Sequence, residues 1–204
     1  QQLGSSAKLV AQWLNETLPL GVRLSSMESG VAHNVISREA ILTFSCPDAN
    51  VLDLEYLNQA IVTRWLSYLP KADQRLQLVL EELPVNSVLT YESQQKVQQL
   101  LAVFPHGAQS YSLAQPANLV DLSVNLAVFN VVEEQLYLET SLRFFNEDEA
   151  KALINTILSI ADLFQLKAKD SLNYPGWKPE FNSPLLAKTA ELYRELFGKH
   201  PEIK

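Results

Sequence analysis

The feature that most constrains this chain is a pair of alternating runs, Leu119 to Asn130 and Leu136 to Phe145, separated by the turn residues Glu133-Glu134-Gln135. Alternation with a period of two over this length predicts two half-buried strands, and the short break predicts an antiparallel hairpin. On the first run Val120, Leu122, Val124, Leu126 and Val128 share one face, and Asp121, Ser123, Asn125, Ala127 and Phe129 share the other. On the second, Leu136, Leu138, Thr140, Leu142 and Phe144 oppose Tyr137, Glu139, Ser141, Arg143 and Phe145. Burying both apolar rows together fixes the parity of the pairing, because a slip of one residue would turn one row to water. Arg143 must then share a face with Ser123 and Asn125.

The rest of the chain supplies helices to cover the apolar face. Leu9, Val10, Trp13, Leu14 and Leu18 form a stripe at helical spacing after Ser5 or Ser6, and Pro19 and Gly21 end it. Val22 to Gly30 and Glu39 to Cys46 read as two strands. Pro47-Asp48 opens a helix from about Leu52 to Tyr68, with Leu54, Leu57, Ile61, Trp65 and Leu69 on its buried side. Leu76 to Leu83 alternates and could add a strand. Tyr91 to Phe104 is a Gln-rich helix with Val97, Leu100, Leu101 and Phe104 inward. After the hairpin, Asn146 caps a helix from Glu147 to Phe164, and Gln165 to Asp170 would be a closing strand. Two strand-strand-helix runs with an insertion predict an α+β fold: an antiparallel sheet with helices on one face, a ferredoxin-like β-β-α repeat with an inserted strand and helix.

Several function classes fall away on composition. A net charge of −7 leaves no basic excess to neutralise phosphates, so no nucleic-acid partner is expected. No apolar run reaches the length of a membrane span, so no membrane association is expected. Cys46 is the only cysteine, which excludes an internal disulfide and fits a reducing, cytoplasmic setting. A lone cysteine of this kind reads as a small core hydrophobe before it reads as a nucleophile. The start at Gln1-Gln2 rather than Met points to an excised or processed chain that would hide any leader.

Residues able to do chemistry are few. His33, His106 and His200 are the three histidines, and none has a partner at metal-ligand spacing, so neither a metal site nor a catalytic residue is assigned within the chain. Glu147-Asp148-Glu149 complements a helix N-terminus rather than forming a paired-carboxylate site. Arg143 has two readings: a surface charge paired with Glu139 or Asp121, or a clamp that matches a carboxylate bidentately. His33-Asn34 likewise is either a turn, since Asn tolerates left-handed backbone, or a loop contact for a ligand. Trp13 and Trp65 fall on helix stripes and read as core.

After about Ala168 the texture changes. Tyr174-Pro175-Gly176-Trp177-Lys178-Pro179-Glu180-Phe181-Asn182-Ser183-Pro184-Leu185 carries three prolines that fix the backbone repeatedly, and an amphipathic helix from Pro184 to Phe197 follows, ended by Gly198. Trp177, in the rigid loop, could pack on another domain. This stretch resembles the Tyr-Pro-Gly-Trp-x-Pro-x-x-x-Ser-Pro signature of aminoacyl-histidine dipeptidases, two-zinc exopeptidases of the carboxypeptidase G and carnosinase type. Other stretches are similar in order. Gly4-Ser5-Ser6-Ala7-Lys8 resembles Gly-x-x-Asn-Ala-x-Lys, with Ser6 in place of Asn. Asn34-Val35-Ile36-Ser37-Arg38-Glu39-Ala40 resembles Asn-x-Ile-Pro-Arg-Glu-Ala, with Ser37 in place of Pro. His106-Gly107 resembles a Gly-Val turn, Ser123-Val124-Asn125 a Ser-Leu-Asn strand, and Leu142-Arg143-Phe144 a strand whose arginine grips the substrate carboxylate.

The resemblance implies that residues 1–167 are the lid, or dimerisation, domain of such an enzyme, and that residues 168–204 are a return segment of the absent zinc domain. It implies Xaa-His-type dipeptides as substrate, a homodimer, two zinc ions held by the parent enzyme and no cofactor in this fragment. The parent would be a metallo-dipeptidase and the fragment alone inactive. Arg143, Asn34 and Asn125 would be the substrate-binding residues. The alternative is a free-standing α+β interaction or small-molecule-sensing module with no missing half.

Overall fold

The computed structural model describes residues 4–112, 119–171 and 175–201. Five strands form one antiparallel sheet: β1 (Arg23–Ser29), β2 (Ala40–Ser45), β3 (Gly107–Tyr111), β4 (Val120–Val132) and β5 (Gln135–Phe144). The long strand β4 is its axis. One edge of β4 pairs along most of its length with β5, from Leu122↔Phe144 to Val132↔Gln135. Its other edge is shared: β3 pairs with the Val120 to Val124 end, and β1 pairs with Phe129 to Val131. Strand β2 lies outside β1. Glu133 and Glu134 both take positive φ, 51° and 62°, to close the β4–β5 turn.

Helices α1 (Ser6–Thr17), α2 (Val51–Leu66) and α3 (Tyr91–Val103) pack with β1 and β4 around one apolar cluster. Its fully buried members include Leu14, Leu24, Met27, Ile61, Leu101, Leu126 and Phe129. Helix α4 (Glu147–Leu163) adds Ile157 and Ile160 to its margin. The expected stripes account for this: Leu54, Ile61 and Trp65 of α2, and Val97, Leu100 and Leu101 of α3, are all buried. The indole N–H of Trp13 donates to Asn58 Oδ1 at 2.7 Å, and that of Trp65 to Gln12 Oε1 at 2.7 Å, so both rings are buried without an orphaned donor.

Two bulges tune which side chains reach this core. The β4–β5 register advances by one residue at Ala127, and the β1–β2 register shifts between Leu24 and Ser26. Each adds a residue to one strand and so turns a spacing of two into a spacing of three. Leu126 and Phe129 therefore both enter the core, as do Leu24 and Met27. Strict alternation placed Phe129 on the polar face with Asn125; the bulge moves it to the apolar one.

Three other element expectations change while the α+β architecture stands. Residues 76–83 form no strand, although Leu76 and Leu78 lie against the core. The inserted strand is instead β3, just after the Pro105-His106 stop. Residues 166–170 form no strand either; Gln165, at φ 58°, turns the chain out of α4.

Residues 175–201 behave differently. Helix α5 (Pro184–Phe197) has no buried residue, and Trp177, Leu185 and Leu196 are each at least three-quarters exposed. Tyr174 of the proline-rich signature lies outside the described residues. Gly176 packs on β5: a Cβ there would lie 2.6 Å from the Phe144 ring.

Candidate functional site

The polar face of the β4–β5 hairpin forms because Ser123, Asn125, Ser141 and Arg143 all point away from the apolar cluster. The register pairs Ser123 with Arg143 and Asn125 with Ser141, so the parity read from the sequence places Arg143 correctly. Ser141 and Arg143 stand two positions apart, about 7 Å along the strand.

Onto this face the loop between β1 and β2 is folded. Asn125 Nδ2 donates to the carbonyls of Val35, at 2.9 Å, and His33, at 3.3 Å; the Ser141 hydroxyl donates to the same His33 carbonyl at 2.6 Å. Both carbonyls flanking Asn34 are thus held by side chains of the sheet, while the His33 and Asn34 side chains stay exposed. The loop enters through Gly30, whose φ of 87° and contact with β4 tolerate no side chain: a Cβ would lie 1.8 Å from the Ala127 carbonyl oxygen. It leaves through Ser37, whose carbonyl accepts the Ser6 N–H at 2.9 Å and whose hydroxyl meets those of Ser6, at 2.5 Å, and Ser29, at 2.8 Å. Beyond it, Arg38 pairs with the buried Asp73 carboxylate, which also accepts the Gly4 N–H at 2.7 Å. The Arg38 hydrogen bond holds the Asp73 carboxyl below the usual carboxylate range against the opposing effect of burial.

The three residues singled out from the sequence therefore share one side of the sheet but differ in state. Asn125 is committed to the loop backbone; its Oδ1 is buried and has no partner among the described residues. Asn34 is presented outward by that clamp. Arg143 is exposed and, among the described residues, forms no ion pair with Glu139 or Asp121. Sequence reading missed Ser141 and Gly30. The signal for Ser141 was its position opposite Asn125; that for Gly30 was a glycine at the very end of a strand.

A cleft of about 500 Å³ lies beside this face rather than on it, between the start of β4, the first turn of α4 and residues 178–181. Tyr111, Asp121, Glu149, Lys178 and Phe181 line it. It includes none of Arg143, Asn34 and Asn125. Among the described residues no three His, Cys, Asp or Glu side chains are grouped to hold a metal ion.

This α+β fold has known counterparts. The fold matches the crystal structure of aminoacylhistidine dipeptidase from Vibrio alginolyticus with a TM-score of 0.85 and 25% identity, over 98% of this chain and 41% of that one. In sequence the chain is 25% identical over 205 aligned residues to the cytosol non-specific dipeptidase of Escherichia coli, covering 99% of this chain and 42% of the relative. The chain is homologous to part of a dipeptidase. No protein-family model matches it. It spans about two fifths of the length of each of these dipeptidases. The dipeptidase homology extends across the described residues from α1 to α5.

Proposed function

We propose that this chain is the substrate-covering lid and dimerisation domain, residues 1–167, of a cytoplasmic zinc dipeptidase acting on Xaa-His-type dipeptides, with residues 168–204 returning the chain to the metal-binding domain. The observation that carries the reading is the clamped loop: Asn125 and Ser141 fix the backbone on both sides of Asn34 above the face that presents an unpaired Arg143. Fixing a loop backbone while leaving its polar side chains outward fits a surface prepared for a ligand.

In this reading the Arg143 guanidinium takes the dipeptide's terminal carboxylate in a two-point hydrogen bond. Asn34 donates its amide to a substrate oxygen, and Asn125 supports it by holding the loop. Closing such a cover over bound substrate excludes water and strengthens these polar contacts. In this reading, activation of water and polarisation of the peptide carbonyl would be supplied by two zinc ions bound in the rest of the parent enzyme. The exposed apolar residues of α5 and Trp177 support a return segment made to pack on that missing domain. The sheet also has three strands, β2, β3 and β5, each paired on one side only among the described residues, and we assign homodimer contact to such an edge.

Activity separates this reading from the free-standing module. The longer protein carrying this segment is expected to hydrolyse Xaa-His dipeptides, and the 204-residue chain alone to hydrolyse none. Absence of turnover by the longer, metal-loaded protein sinks the proposal. Sedimentation of the longer protein as a monomer at high concentration would remove the dimer from it.

A further inference from the structure

One edge of β4 carries two strands end to end, and between them is a gap. Strand β3 pairs as far as Val124, and β1 begins at Phe129. The Leu126 N–H faces this gap with no strand to receive it, and the His106 side chain fills the vacancy: its Nδ1 accepts the Leu126 N–H at 3.1 Å. An imidazole accepting at Nδ1 is neutral and carries its proton on Nε2. Here Nε2 is buried and, among the described residues, has no partner.

The surroundings oppose a second proton. Lys8 of α1 is the charged group acting on His106, and its ammonium is fixed by donating to the carbonyls of Leu101, at 2.8 Å, and Phe104, at 2.5 Å, at the end of α3. Protonation of Nδ1 would set N–H against N–H across the gap and put a second cation near Lys8. Burial, and then the Lys8 charge, lower the His106 pKa from the ordinary imidazole value.

What lies on either side of Leu126 gives the contact its consequence. Asn125 holds the 30–36 loop, and Ala127 is the bulged residue against which Gly30 packs. We infer that His106 is a proton-operated latch: neutral, it closes the gap in β4 and steadies the bulge beneath the loop; protonated, it releases the Leu126 N–H and loosens the strand from which the loop is held. The latch is a property of the fold and does not depend on what the loop binds, so loss of the dipeptide reading leaves it intact.

The test is nuclear magnetic resonance on the isotope-labelled wild-type chain between about pH 7.5 and about pH 4.5, the range in which imidazoles titrate. At neutral pH the His106 nitrogens should report the Nε2–H tautomer. As the imidazole gains its proton, exchange protection of the Leu126 amide, corrected for intrinsic rate, should fall by about tenfold or more, while the Phe129 amide in the β1-paired region keeps its protection. The His106→Asn variant offers a carboxamide oxygen as acceptor that cannot titrate, and its Leu126 protection should not vary with pH. An Nδ1–H tautomer at neutral pH, Leu126 protection that persists to the acid limit, or equal loss at Phe129 overturns the latch. So does a His106→Asn protein that loses protection as the wild type does; if that variant does not fold, the wild-type measurements decide alone.

Discussion

The two sides of β4 are built on different principles. Toward the helices, Leu126, Phe129 and Val131 are buried in a continuous apolar cluster, where stability comes from area removed from water and from dense packing. Away from the helices, Asn125 with Ser141 across the pair holds a loop by three hydrogen bonds and one glycine contact. A packed face tolerates no missing volume, but no single polar group decides it. The loop-bearing face gains little free energy in total, yet single atoms on it decide where Asn34 and Arg143 stand. The fold is thus held from one side and its proposed function displayed on the other, with the bulge at Ala127 marking the change of phase between them.

Substitutions can break this contrast at either side. The largest effect is expected from Gly30→Ala, where positive φ and the clash with the Ala127 carbonyl act together; a loss of about 4 kcal/mol or more in chemical denaturation is expected. A near-neutral result would mean the loop does not dock as described. Leu126→Ala, on the packed side, should cost about 3 kcal/mol, with its exact value set by how far the cavity collapses. Asn125→Ala should cost only about 1–2 kcal/mol globally, while amide exchange in residues 32–36 rises markedly. Equal exchange in the loop and the core would erase the contrast.

Acid sharpens the same comparison at the margin of the loop. Asp73 has a folded-state pKa depressed by Arg38, so its contribution is present above the unfolded value, about 3.9, and is lost as pH falls through the lower folded one. Thermal melts of Asp73→Asn should therefore lie below wild type at neutral pH and converge with it in strong acid. A constant gap at all pH values would assign the loss to packing rather than to charge. The smallest stability effect is expected from Arg143→Ala, within about 0.5 kcal/mol, since the side chain is exposed and unpaired among the described residues.

Much of this was legible in the residues. The hairpin, the parity that puts Arg143 beside Ser123, and the stripes of α1, α2 and α3 follow from periodicity, and the Pro184 and Gly198 signals bound α5 as observed. What failed has physical causes. Period-two counting cannot foresee a bulge, so it left Phe129 on the wrong face. Alternation at Leu76 and Leu78 reports burial of one side, which a segment can achieve with no partner strand. Strand β3 escaped notice because Gly107-Ala108-Gln109-Ser110-Tyr111 has little β propensity and is held by pairing to β4. Ser6 and Ser37, the two departures from the dipeptidase pattern, looked independent in sequence and proved to be in contact, 2.5 Å apart. The contact lies across thirty-one positions of chain, a distance at which local patterns carry no information.

Whether this surface grips a dipeptide by its carboxylate is decided by steady-state kinetics of Arg143→Ala in the longer, metal-loaded protein. A fall in kcat/KM of about a hundredfold or more is expected, roughly the loss of one charge-assisted, two-point contact, with the folded stability unchanged. A kcat/KM equal to that of the wild type would contradict it, and Arg143 would then be a surface charge.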